Sequence, residues 1–433
     1  MSGDVSSDDT DQLRACREAA RRRLLREHVG TIVRAIRAPL ADVLREHALV
    51  HLPPAAAARL RLVHPSWAHS LASPLFAVAH AAATRRISGL FAPSTGLLPF
   101  DGADTVPSPS LAFLPTSSGL TVLSSSHGLA CCFSLADDAY FVCNPATASW
   151  AGVPSPPHRT LPRPAIVVVF DASVCNFRGD YTLVCAFESA PGSGTYCFAV
   201  FTSGTGAWWV ADAVAPAEGL VPASGVAAGG TAWWRTSIGT AVGYNPVTGR
   251  VELVMCPSDS GQWEIGSAAG RLHCAVRDDG DVVVFRLDGH GGWEEAARVA
   301  VADILEYRQP EPAHEQTEAE AGDEAEETEE EHARAIVAVA NRVHVPDDDV
   351  QMLPFQGAQV EVVVLAGRRV VAFDTVTRRR REAALPDQPG MERSDAVYAA
   401  HTNTLALVAP LVLTGEPAPV TDPLDDRDKA PFS

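Results

Sequence analysis

GYNPVTGRVE, residues 243–252, carries the pattern that decides how most of this chain folds. Apolar, aromatic and β-branched residues flank an Asn-Pro turn closed by glycine, the chemistry of a tight turn between paired strands. Working outward, altered copies appear as FVCNPATASW at 141–150, VFTSGTGAWW at 200–209, VFRLDGHGGW at 284–293 and AFDTVTRRRR at 372–381. A second phrase, a strand led by glycine, recurs as HGLACCF from 127, GGTAWW from 229 and GRLHCAV from 270. From Asn144 through Phe201, Asn245 and Asp288 to Asp374, successive turn phrases lie 57, 44, 43 and 86 residues apart. A unit of 40–50 residues built from four short strands predicts β-propeller blades, with the last interval equal to about two such units. Between Leu90 and Leu413 there is room for about six or seven blades, and residues 87–125 can supply strands that close the ring with 395–413. A pair of β-sandwiches is the alternative, disfavoured by the spacing.

The first 86 residues are written differently. From Thr10, a plausible N-cap, DQLRACREAARRRLLREHVGTIVRAIR places Leu13, Cys16, Ala20, Leu24, Val29, Ile32 and Ile36 near one helix face. Arg21–Arg23 within it reads as a solvated face ahead of a nuclear-import signal. The stretch 40–80, LADVLREHALVHLPPAAAARLRLVHPSWAHSLASPLFAVAH, is rich in Leu and Ala and is punctuated by Pro53, Pro65 and Pro74. It predicts a few short helices with sharp corners, too short to hold in water unless packed on one another or on a partner. The resulting plan is an α+β multidomain chain. Residues 1–38 form a tail and helix, 39–86 a small all-α module, 87–415 an all-β propeller interrupted by an acidic insertion at 307–332, and 416–433 a loose tail.

Composition narrows the function classes. The chain has 433 residues, is 46% hydrophobic and carries a formal net charge of −19, so it has material for a core and lacks the basic footprint that phosphate contacts require over a whole surface. Residues 311–331 hold eleven acidic residues and no Lys or Arg, which predicts a solvated insertion between propeller strands. The nine cysteines form no C-x-x-C pair, and MSGDVSSDDTDQ lacks the order of a secretory signal. With no Asn-x-Ser/Thr acceptor either, the expected setting is a reducing one, cytoplasm or nucleus, with the thiols as small core residues. No apolar run approaches the ~20 residues that span a bilayer.

Chemistry-bearing motifs are sparse. His47 and His51 have i, i+4 spacing but no third ligand, and Cys131 and Cys132 point to opposite faces of a strand. The glycine pairs Gly192/Gly194 and Gly204/Gly206 fit hairpin turns with no following phosphate-binding helix, and neither G-x-S-x-G nor H-E-x-x-H occurs.

LPPAAAARLRLVHPSWAHSLASPLFAVAH, from Leu52, resembles the second half of the plant F-box: Leu-Pro, small residues, Arg-x-Arg-x-Val-Cys-Lys-x-Trp, then Pro-x-Phe and His. Leu52, Pro53, Arg59, Arg61, Val63, Trp67, Pro74, Phe76 and His80 fall on that pattern. It departs at Ala41, where proline is usual, at Ala48, where a larger aliphatic is usual, and at Pro65, where a basic residue is usual. NPATxxW and GGTAWW resemble phrases of the kelch-like, F-box-associated propellers that follow F-boxes in plant proteins. The resemblance implies a substrate-receptor subunit of a cullin-type SCF ubiquitin ligase. Such a subunit binds a Skp-family adaptor, and through it cullin, by its F-box, and a target protein by its propeller. It performs no bond chemistry and needs no cofactor or metal; it raises the concentration of target near the conjugating enzyme. The adaptor-binding residues it implies are Leu40, Leu44, Leu52, Pro53, Leu60, Val63 and Trp67, the exposed aliphatic ones in contact and Trp67 internal. Two alternatives stand beside it: a non-catalytic propeller scaffold whose F-box no longer binds an adaptor, and a propeller enzyme with His, Asp, Glu or Tyr converging at the channel mouth.

Overall fold

The computed structural model of this chain describes residues 48–410, apart from 84–85, 94–95, 101–105, 117–118, 159–163, 174, 259–261, 306–349 and 387–396. The N-terminal helix, Leu40, Leu44, the acidic insertion and the C-terminal tail therefore lie outside the described residues. Among the described residues no helix is long and apolar enough to cross a membrane.

The β portion is a six-bladed propeller. β1 (Gly89–Ala92) and β2 (Gly96–Pro99) belong to a closing blade completed from the far end of the chain. Blade 1 is β3 (Leu120–Ser126), β4 (Leu129–Ser134), β5 (Ala139–Asn144) and β6 (Ser149–Val153). Blade 2 is β7 (Ala165–Phe170), β8 (Tyr181–Glu188), β9 (Thr195–Thr202) and β10 (Ala207–Pro216). Blade 3 is β11 (Val226–Ala228), β12 (Thr231–Arg235), β13 (Thr240–Tyr244) and β14 (Val251–Met255). Blade 4 is β15 (Trp263–Ala268), β16 (Arg271–Asp278), β17 (Asp281–Leu287) and β18 (Trp293–Ala300). Blade 5 comprises β19 (Val350–Leu353), β21 (Glu361–Ala366), β22 (Arg369–Asp374) and β23 (Arg380–Ala384), while β20 (Phe355–Gly357) joins blade 4. β24 (Ala399–His401) pairs antiparallel with β1, so Gly89 faces His401 and the ring closes between the two ends of the propeller sequence.

Each recurring turn phrase occupies the hairpin between the third and fourth strands of its blade. Asn144 Oδ1 accepts the Ala146 N–H at 2.9 Å, and Asn245 Oδ1 accepts those of Val247 and Thr248, each at 3.0 Å. Asp288 Oδ1 accepts His290 and Gly292 N–H, both at 2.7 Å, and Asp374 Oδ1 accepts Val376 and Thr377 N–H, both at 2.9 Å. These backbone donors hold the carboxyl of Asp288 below the usual carboxylate range. Because all five phrases are equivalent, the 86-residue interval from Asp288 to Asp374 is a single blade step enlarged by residues 306–349, not two units. That fixes the blade count at six and excludes the seventh.

The aromatic or basic residue that follows each turn has a role of its own. Trp208 Nε1 donates to the Pro154 carbonyl at 2.7 Å, just beyond the outer strand of the preceding blade. Trp293 repeats this from blade 4 to the Met255 carbonyl of blade 3 at 2.7 Å, and Arg380 Nη1 reaches the Ile304 carbonyl at 3.3 Å, in the short helix α4 (Val301–Leu305) after blade 4. Within the basic run at 378–381, Arg380 thus supplies a blade-to-blade clamp.

Inner strands are buried on both faces because a neighbouring sheet covers each side, so β4, β15 and β21 have no exposed residue. Outer strands such as β10 alternate between exposed and covered positions. Cys131, Cys132, Cys143, Cys185 and Cys274 are buried free thiols of this inner layer. The core is accordingly a set of inter-blade layers: one joins blades 1 and 2 through Leu129, Val142, Ile166 and Leu183, another joins blades 4, 5 and the closing blade through Val284, Val363 and Leu90.

The seam between blades 4 and 5 has an extra device. After Pro354 the chain leaves blade 5 and pairs in parallel with β15, placing Phe355 opposite Gly266. A Cβ on Gly266 would meet the Phe355 ring at 2.5 Å, so only glycine lets the two backbones approach. The closing seam is charged. Glu361, 1% exposed, accepts the Ile87 N–H at 2.8 Å and pairs with Arg381 at 2.7 Å, while Arg86 meets Asp374 at 3.2 Å.

Gly266→Ala should cost about 1–3 kcal/mol of stability in denaturant unfolding, because an added methyl must displace a buried aromatic ring. Gly204→Ala, where an added Cβ meets nothing within 4 Å, should change stability by less than about 0.5 kcal/mol. His401 gives a pH signature. Its ring is fully buried, with Nδ1 2.8 Å from Ser125 Oγ, and burial lowers its pKa from 6.5 to about 3. The unfolded chain takes up this proton near 6.5 and the folded chain does not. The contribution is therefore intact above 6.5 and is lost as pH falls from 6.5 toward 3, at up to about 1.4 kcal/mol per pH unit. Unfolding of His401→Gln across that window should show a slope flatter by one proton; an unchanged slope would contradict the assignment.

Candidate functional site

Residues 48–83 form a compact group of helices on the propeller. A single 3₁₀ turn, Leu49–His51, leads to α1 (Pro54–Leu60), α2 (Pro65–Leu71) and α3 (Pro74–Ala82). Each helix opens with proline in its first turn, where the missing N–H costs no hydrogen bond and the fixed φ suits the helix. Two have side-chain caps: His64 Nδ1 accepts the Ser66 N–H at 3.2 Å, and Ser73 Oγ accepts the Phe76 N–H at 3.2 Å. Pro65, which the sequence pattern marks as a breaker of the second helix, is the start of the next.

The module has its own small core of Leu49, Ala57, Leu71 and Phe76, against which Leu52, Leu60, Trp67 and the propeller residue Leu405 pack. His80 joins the two parts. Its ring is fully buried; Nε2 donates to the Leu52 carbonyl at 3.0 Å and Nδ1 accepts the Leu405 N–H at 3.1 Å. These two partners together require the neutral ring with its proton on Nε2. A second tie runs from His127 Nδ1, in the β3–β4 turn, to the Ala81 carbonyl at 3.4 Å. The propeller's side of the contact is the segment after β24, itself pinned to blade 1 by Asn144 Nδ2, which donates to the Thr404 and Ala406 carbonyls at 3.1 and 2.7 Å.

The described site residues separate into two groups. Leu52, Leu60 and Trp67 are brought together in the module's interior, half-buried, and Pro53 sits exposed at the N-cap of α1. Val63 lies beyond the end of α1 and is 66% exposed. Leu52 and Leu60 pack, half-buried, against the small core of Leu49, Ala57, Leu71 and Phe76. The prominent apolar side chain is Leu62, 89% exposed, with Leu75 at 67%. Leu62 falls between Arg61 and Val63, two positions that the F-box-like pattern selects, and is not itself one of them. It lies just past the end of α1, next to the exposed Arg61.

Acid–base and metal chemistry are thinly represented nearby. Among the described residues no group of three or more His, Cys, Asp or Glu is placed to hold a metal ion. The strongly shifted groups are strand residues: burial pushes the Cys185 thiol up to about 12, and burial outweighs Arg235, 3.0 Å away, in raising Glu264.

What fold and site define at this point is a six-bladed β-propeller with a helical module docked on one face. No protein-family model matches the chain, and no curated protein is similar to it in sequence. Solved structures with a similar fold include selenomethionine-substituted virginiamycin B lyase from Staphylococcus aureus, with TM-score 0.30 and 9% identity over 70% of this chain and 74% of that one. YCF48 bound to D1 peptide has TM-score 0.32 and 12% identity, covering 62% and 69% of the two chains. A protein from Lactobacillus plantarum has TM-score 0.33 and 12% identity, covering 70% and 97%. Likenesses of this size carry no functional assignment.

His80→Ala should leave the Leu405 N–H and the Leu52 carbonyl without their partner and cost about 2 kcal/mol. Hydrogen exchange should localise the loss to α1–α3, with β12 and β13 still protected; uniform loss across the propeller would remove His80 as the link.

Proposed function

We propose that this chain is a non-catalytic receptor subunit of a cullin-type ubiquitin ligase, docking a Skp-family adaptor through its helical module and a target protein through its propeller. The observation that carries this reading is the pair Leu62 and Val63, two aliphatic side chains left in solvent at the end of α1 on a module whose own core is already filled. A folded module retains such residues at a cost in solubility unless a partner covers them. Burying each would contribute about 1.5–3 kcal/mol, enough for the anchor of a small interface. Arg59 and Arg61 precede the pair and are exposed, so an acidic rim on the partner would complement them. The F-box-like run from Leu52 to His80 supports the adaptor as that partner, and Pro65 as a helix start shows how the run tolerates that departure.

The reading also gives the His80 contact a role. A receptor must hold its target at a set distance and angle from the conjugating enzyme, and a buried two-sided hydrogen bond between module and propeller limits their relative movement. In the competing reading, a scaffold without adaptor, Leu62 and Val63 meet some other protein.

Co-purification with a purified Skp-family adaptor discriminates. Wild type should capture the adaptor, and Leu62→Asp with Val63→Asp should lower capture at least ~tenfold with an unchanged melting temperature. Absence of capture by the wild type, or equal capture by the double variant, would leave the scaffold reading.

A further inference from the structure

The inner ends of the blades leave a cavity of about 210 Å³ at the channel mouth, with Ala81–Ala83 at the C-terminal end of α3 along one side. Its polar wall comes from blade 1 at Ser126, from β15 at Ser267, from β20 at Gln356 and from the segment after β24 at Thr402 and Thr404. Ser126, Ser267 and Thr402 are only 4%, 9% and 8% exposed, and their hydroxyls have no hydrogen-bond partner among the described residues. Neighbouring hydroxyls are matched, while the buried His401 Nε2 has no partner among the described residues. Ser125 Oγ meets His401 Nδ1 at 2.8 Å, Ser124 Oγ accepts the Val168 N–H at 2.9 Å, and Thr404 Oγ1 donates to the His127 carbonyl at 2.7 Å. Three hydroxyls of nearly buried residues, without a partner in the chain, thus open onto one space.

The lining specifies the chemistry of an occupant. It contains no Asp, Glu, Lys or Arg, and burial lowers the pKa of its one histidine, His127, so an ion placed there would be desolvated without a counter-charge. An apolar molecule would leave the three hydroxyls unpaired. Gln356 commits its amide N–H to the Ala400 carbonyl, which leaves Oε1 as an acceptor, and the last carbonyls of a helix are acceptors too. An occupant must therefore bring several donors and also accept from hydroxyls. One water needs ~10–15 Å³, so the space holds much more than a single solvent molecule. We propose that this cavity is a binding site for a small neutral polyol of about monosaccharide size. The site is separate from the apolar surface of α1 and does not depend on the receptor reading. It lies where α3 meets the ring, so its occupant would bridge module and propeller.

Saturation-transfer NMR on the full chain tests this with two neutral probes, myo-inositol and glucose, and two charged ones of similar size, gluconate and glucosamine. The neutral probes should receive saturation and the charged ones should not. Ser126→Ala with Ser267→Ala should weaken binding at least ~tenfold while the melting temperature holds. If that variant does not fold, Thr402→Val supplies the same readout. Absence of transfer to both neutral probes would mean that water alone fills the cavity. Equal transfer to the charged probes, or unweakened binding in the folded variant, would also overturn the proposal.

Discussion

The whole structure rests on one strand pairing, β1 against β24. A propeller blade buries its faces only against neighbouring blades, so an open ring would expose two full inner sheets to water. Closure is made by hydrogen bonds from Gly89–Phe91 to Ala399–His401, between segments separated by almost the entire propeller sequence. Loop closure over that length is entropically expensive, and the seam is reinforced accordingly. Glu361 accepts the Ile87 backbone and Arg381 together, Arg86 joins Asp374, and the His401 ring lies edge-on to Phe91 with centroids 5.1 Å apart.

Closure also places the helical module. The chain that leaves β24 crosses blade 1 and offers the Leu405 N–H to His80, while the chain that enters β1 comes from α3. Module, closing blade and C-terminal segment therefore meet in one place. The cavity lies at the same junction, which couples the contents of the channel mouth to the seating of α3. The exposed pair Leu62 and Val63 lies in the turn after α1.

Much of this was legible one residue at a time. Asn144, Asn245, Asp288 and Asp374 announce their turns because an Asx side chain caps the backbone two or three residues ahead, a local effect that spacing preserves. Pro53, Pro65 and Pro74 mark the corners between short helices for an equally local reason. The enlarged step between Asp288 and Asp374 misled the blade count because an interval in sequence cannot tell a repeat from an insertion. Which apolar residues of the helical module are covered from within was not legible, for a different reason. An apolar helix face has to be covered, but the pattern does not say whether its own neighbours or another protein will cover it.

The sequence by itself therefore determined the strand-and-turn repeat, the propeller class and the proline-bounded helices, because turns, caps and alternation are set within a few residues. Only the tertiary structure decided that there are six blades, that Phe355 crosses to β15 over Gly266, that Trp208 and Trp293 clamp the preceding blade, and that Ser126, Ser267 and Thr402 face one cavity. Each of these joins residues from separate blades. Such contacts exist only once the ring has closed, and no period or motif along the chain encodes which distant carbonyl, glycine or hydroxyl closure will bring opposite.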